Sequence, residues 1–131
     1  MVLNKFMTLT KQRKIKKSTL RNRADKLFSL WVRRDGKCSI VIHPYCKCGG
    51  VLQCAHIITR GTTALRYDPM NAIPLCAAHH RWFHQHPFEF VAFIKKAFPN
   101  NYAYIMKHKN DVVKKTEDLY RQVIEKYKEE V

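Results

Sequence analysis

One short stretch, Cys76-Ala-Ala-His79-His80-Arg-Trp-Phe-His84, limits what this chain can fold into more than any other. Read as a helix, it brings Cys76 and His79 together as an i, i+3 pair and His80 and His84 together as an i, i+4 pair. Adjacent helical residues stand about 100° apart, so the two pairs serve different sites. Cys76 and His79 are half of a closed tetrahedral zinc site, which needs two more soft ligands. Cys38, Cys46 and Cys48 lie upstream, and any two of them suffice. Cys54 sits in the apolar run Val51–Ile58 and reads as a small core hydrophobe. The chain has an odd number of cysteines, 5, and shows neither a signal-peptide pattern nor a membrane-length apolar run. The expectation is an intracellular protein with no membrane association, whose thiols hold metal rather than form disulfides.

Charge narrows the partner. Lys and Arg total 25 against 10 Asp and Glu, a formal net charge of +15 over 131 residues. At 46% apolar content the chain can still build one modest core. The excess is one-sided: between residues 1 and 37 only Asp25 and Asp35 oppose a dense run of basic side chains. Residues 1–17, with Lys11, Arg13, Lys14, Lys16 and Lys17, read as a flexible basic arm suited to phosphate contacts. Nucleic acid is the polyanion this balance fits best.

Periodicity supplies the rest. Leu20, Ala24, Leu27, Phe28 and Trp31 predict a helix capped by Ser18 and stopped by Gly36. Val51–Ile58 reads as a strand, 59–71 as turns, Ala72–Leu75 as a second strand, and Cys76–His84 as a short helix. A further helix starts at Pro87 and ends at Pro99-Asn100. Val112, Thr116, Leu119, Tyr120, Val123 and Tyr127 share one face of a final helix. The expected fold is small and α+β, a zinc-stabilised core with flanking N- and C-terminal helices. Its divisions are the arm (1–17), a central domain with the zinc site (18–98) and a C-terminal helical segment (99–131).

His56 closes the first strand, Asn71 follows after fourteen intervening residues, His80 after eight more and His84 after three more. This spacing resembles the H-N-H signature of HNH endonucleases, whose core is a ββα-metal finger. Lys26–Cys38, Leu52–Ile57, Arg66–Asn71, Leu75–His80 and His86–Phe90 further resemble the NinG/Rap-type recombination nucleases of lambdoid phages. The similarity spans roughly residues 20–98.

The resemblance implies that His56 is the general base, that Asn71 bonds across the hairpin to aim it, and that His80 and His84 hold a catalytic divalent cation, Mg²⁺ or Mn²⁺. Arg60, Arg66 and Arg81 lie near this core and suit phosphate clamping, though they suit a solvated surface equally. Many family members carry Asp or His just before the base as a further metal ligand, where this chain has Ala55. His43 and His86 are possible substitutes. The first expectation is a metal-dependent DNA endonuclease, phage-encoded and acting in recombination or DNA processing. The alternative is a non-catalytic zinc-stabilised DNA-binding module with a degenerate site, and an RNase is a third reading.

Overall fold

The computed structural model of the chain describes residues 14–40 and 46–130. Helix α1 (Lys17–Val32) is followed by a two-stranded antiparallel hairpin, β1 (Leu52–His56) and β2 (Ala72–Cys76). Between the strands lie a single helical turn, α2 (Thr63–Arg66), and a 3₁₀ turn (Pro69–Asn71). Helices α3 (Ala77–Gln85), α4 (Pro87–Ala97), α5 (Pro99–His108) and α6 (Glu117–Tyr127) complete the chain.

The hairpin register is Leu52 opposite Cys76 through His56 opposite Ala72. Because side chains alternate along a strand, the hairpin serves two cores. On one face Ala72 and the half-buried Cys54 pack with Leu20, Ala24, Phe28 and Val32 of α1, with Tyr67, and with Tyr120, Val123 and Tyr127 of α6. On the other, Ala55, Ile73 and Leu75 pack with Ile40, Phe83 of α3 and Ile94 of α4. Pro74 is tolerated because its carbonyl, which accepts from the Ser39 N–H at 2.8 Å, points away from β1; its nitrogen faces the same outer edge, so the hairpin loses no donor.

Several details differ from the sequence expectations, beginning with the helical turns inside 59–71 and with β2, which runs through Cys76 so that α3 starts at Ala77. Lys16, not Ser18, takes the N-cap position of α1 and makes no side-chain capping bond. The helix also stops at Val32, before Gly36, whose φ of +69° serves the turn that follows. Pro99 ends one helix by starting another: a proline fits the first turn of a helix as well as it blocks the interior of one, and α5 went unread for that reason. Val112 lies outside α6 and is 92% exposed; α6 begins after Thr116, whose Oγ1 accepts from the Leu119 N–H at 3.1 Å. No described helix is long and apolar enough to cross a membrane.

Candidate active site and metal centre

Helix α3 supplies two sites. Its N-cap residue, Cys76, and His79 one turn on converge with Cys38 and Cys48, all four ligand atoms lying within 4.8 Å of one another. The sulfurs of Cys76, Cys48 and Cys38 stand 3.1, 3.5 and 3.6 Å from His79 Nδ1. Zinc bonds of about 2.3 Å to sulfur and 2.0 Å to nitrogen in a tetrahedron put S and N roughly 3.5 Å apart. The four ligands therefore have the spacing of a closed zinc site. Of the three upstream thiols the sequence offers, Cys38 and Cys48 belong to this group and Cys46 does not.

The local backbone explains how the set is held. The carbonyls of Val51 and Gly49 accept from Ala77 and Ala78 N–H at 2.9 and 3.0 Å, so the knuckle caps the start of α3. Gly50 sits at φ +77°, and a Cβ there would stand 2.8 Å from Ala77 Cβ; only glycine lets the knuckle close. Burial pushes the Cys48 thiol up to about 11, with Cys76 and Cys38 adding to it. Burial also works against ionising Cys76, but bonds from the backbone N–H groups of His79 and Gly49 outweigh it and bring that thiol down to about 6. The Cys76 sulfur is poised as a thiolate while Cys48 resists following, the condition a bound dication relieves.

The second site is a cleft of about 590 Å³ between α1, β1 and α3. His56, His80 and His84 all line it, together with Gln53, Arg33, Arg60 and Asp25. His56 Nε2 lies 2.9 Å from the Arg66 carbonyl. A carbonyl only accepts, so Nε2 carries the proton and Nδ1 keeps its lone pair. Burial lowers the His56 pKa, the Arg66 carbonyl bond works against that, and the charges of Arg60 and Arg66 lower it further. His56 is thus neutral at pH 7, as a general base must be.

Asn71 is fully buried at the far end of the hairpin. Its Oδ1 accepts from the Ile58 N–H at 2.7 Å, and its Nδ2 donates to the carbonyls of Ile58 (2.9 Å) and Leu65 (3.0 Å). It thereby ties the chain after His56 to the loop that carries Arg66. Helix α5 braces the same loop: Asn101 Nδ2 donates to the Met70 carbonyl at 3.1 Å and Tyr104 hydroxyl to Asp68 at 2.5 Å.

The Nε2 atoms of His80 and His84 are 3.1 Å apart. Two imidazoles bound side by side on one cation at about 2.1 Å place their nitrogens about 3 Å apart, so this pair fits two neighbouring positions on an octahedral or tetrahedral ion. His80 Nδ1 donates to Gln53 Oε1 at 2.7 Å, which turns its Nε2 lone pair toward His84. Burial, then the neighbouring His84 and His56, lower the His80 pKa and keep it in the neutral, ligating form. Gln53 escaped the sequence reading because a lone glutamine in a strand carries no metal-site signal; its link to His80 exists only once α3 folds back on β1.

The remaining expected residues divide. Arg60 lines the cleft with its side chain 60% exposed. Arg66 does not offer a free guanidinium for phosphate: its Nε and Nη2 bond both oxygens of Asp25 at 2.9 and 2.6 Å, and its side chain is 12% exposed. Arg81 is exposed but is not among the side chains lining the cleft. Arg33, not singled out from sequence, does line it. Lys14, Lys16 and Lys17 are exposed at the start of α1, while Lys11, Arg13 and His43 fall outside the described residues. His86 is not among the residues lining the cleft with His80 and His84; its Nδ1 donates to the Trp82 carbonyl at 2.8 Å and its ring stacks on Trp82 at 3.8 Å. Ala55 is 1% exposed, in the apolar cluster with Ile73 and Phe83.

Residues 38–91 match the protein family described as HNH endonuclease. The matched stretch holds the zinc set, His56, Asn71, His80 and His84; α1, α5 and α6 lie outside it. No curated protein and no solved structure matches the chain.

Proposed function

We propose that this chain is a metal-dependent DNA endonuclease of the HNH type, hydrolysing phosphodiester bonds, phage-encoded and acting in recombination or DNA processing as the NinG/Rap-type resemblance implies. One observation carries the catalytic part: a neutral imidazole with its Nδ1 lone pair available, His56, shares a cleft with a convergent Nε2 pair, His80 and His84. His56 would take the proton from a water attacking the phosphorus, and the hydrogen bond to the Arg66 carbonyl would stabilise the imidazolium that results. Arg33 and Arg60 would hold flanking phosphates. A divalent cation on His80 and His84, Mg²⁺ or Mn²⁺, would supply charge neutralisation at the phosphate and the departing 3′ oxygen. Zinc on Cys38, Cys48, Cys76 and His79 would be structural.

The test is cleavage of plasmid and branched DNA by zinc-loaded protein, with Mg²⁺ or Mn²⁺ and with chelator. Metal-dependent cutting that His56→Ala abolishes supports the reading. Ala55 favours a second one, a zinc-stabilised DNA-binding module, because it leaves the cleft cation only two of the expected protein ligands. Tight DNA binding with no cleavage of any DNA form under any metal would decide for that module.

A further inference from the structure

An acidic side chain lines the basic cleft, and a reason for it is needed. Asp25 projects from α1 among Arg33, Arg60 and the three histidines. A carboxylate there repels the phosphates that the rest of the cleft would attract. Both its oxygens bond the Arg66 guanidinium at 2.9 and 2.6 Å, in the bidentate geometry that fixes an arginine most firmly, and Arg60 Nη1 lies farther off, 3.8 Å from Oδ2. Arg66 in turn presents the carbonyl to which His56 Nε2–H donates. The element carrying that carbonyl, α2, is a single turn of four residues with no side-chain cap. A lone turn has little stability of its own. Asn71 holds its Leu65 carbonyl and Leu65 is buried, but the following residue is pinned to the rest of the fold through Asp25. Helix α1 also packs Phe28 against the imidazole, with ring centroids 5.8 Å apart.

We infer that Asp25 is a positioning residue: through its fork with Arg66 it fixes the carbonyl that sets the tautomer and the aim of His56. This rests on the nuclease reading for its consequence in catalysis, though not for its structural content. The positioning group comes from α1, outside the stretch that matches the HNH family. In this chain the flanking helix therefore completes the site rather than only covering the core.

The experiment uses full-length, zinc-loaded protein and three variants: Asp25→Asn, which keeps the shape and removes the charge; Arg66→Lys, which keeps the charge and removes the fork; and Asp25→Glu, the conservative control. Two quantities are read: exchange of the His56 Nε2–H proton by NMR, and the single-turnover rate on DNA. In the wild type the proton should be slow to exchange. In Asp25→Asn and Arg66→Lys it should exchange at least about tenfold faster, and cleavage should fall about 10- to 100-fold, the scale of a misplaced catalytic group. DNA affinity of Asp25→Asn should hold or rise, which a merely structural lesion would not produce. Asp25→Glu should recover part of the rate. Unchanged proton exchange in whichever of the first two variants melts cooperatively overturns the inference. If the wild type cuts nothing but the proton responds as expected, the nuclease reading fails and the positioning stands.

Discussion

Helix α3 serves two sites, one Cys/His and one all-His, whose helix residues His79 and His80 are adjacent but which are built to opposite rules. Cys76 and His79 face inward and meet Cys38 and Cys48, so four ligands close around one point. His80 and His84 face an open cleft and meet no third described side chain at metal distance. The closed set leaves no position for water or substrate, so its chemistry is folding. The open pair leaves most of a cation's positions free, so its chemistry is with whatever enters the cleft. The contrast predicts that metals at the two sites differ in affinity, exchange and consequence.

The largest effect should come from the closed site. Structural zinc in small domains is worth on the order of 10–16 kcal/mol of apparent binding free energy, comparable to the whole stability of a typical domain. Cys76→Ser or Cys38→Ser should therefore abolish cooperative melting and stoichiometric zinc, read by calorimetry and elemental analysis. Cys46→Ser should keep both, since that thiol is outside the four. Gly50→Ala should fall between them. It keeps every ligand but sets a Cβ 2.8 Å from Ala77 at a φ of +77°, and should lower the melting temperature measurably. A fully folded zinc-free protein would erase the distinction between the two sites.

Next in size are the cleft residues, which should affect rate and leave the fold intact. His56→Ala should slow cleavage by about 10²–10⁴-fold with DNA affinity and melting little changed. His80→Ala should raise the Mg²⁺ or Mn²⁺ concentration needed for cutting beyond reach, while zinc content stays at one per chain. Gln53→Ala removes only the bond that orients His80, and should weaken the cleft metal by about 10- to 100-fold. If Gln53→Ala instead disturbs the zinc, the sites are coupled through α3 and the contrast is too sharp. Ala55→Asp would place a carboxylate among Ile73 and Phe83, so it should cost stability.

What could be read from sequence follows the same division. A Cys/His group able to hold a metal was legible because Cys and His spacing on one helix fixes which side chains project together, and only which of Cys38, Cys46 and Cys48 join it needed the folded knuckle. His56, Asn71, His80 and His84 were legible as a pattern. Their partners were not. The Arg66 carbonyl, Gln53 and Asp25 are ordinary residues whose role arises from contacts 10, 27 and 41 positions apart in the chain. Arg66 shows the limit most clearly. Its type suggested phosphate, while the fold gives its side chain to Asp25 and its backbone to His56. The helix periods located α1 and α6 but could not show that Tyr120, Val123 and Tyr127 pack on Leu20, Ala24 and Phe28 in one core.

The smallest expected effect is the dependence on pH, and it separates the two sites by steepness of response. Burial and the nearby guanidinium charges hold the His56 pKa below the ordinary 6.5, so the base stays neutral as pH falls to that value. Cleavage at saturating metal should thus decline on acidification with its midpoint under 6.5. The same shift has a stability consequence. The unfolded chain binds a proton at His56 near pH 6.5 and the folded chain resists, so this group's contribution is complete above 6.5 and is lost as pH falls through the folded value. The zinc site should respond more steeply, because its Cys ligands and His79 all compete with protons for the metal. Rates measured at increasing Mg²⁺ on acidification distinguish these terms. A midpoint that moves down with added metal reports proton competition at His80 and His84. One that stays fixed reports His56, and a fixed midpoint above 6.5 would contradict the buried, cation-flanked environment on which its role as base depends.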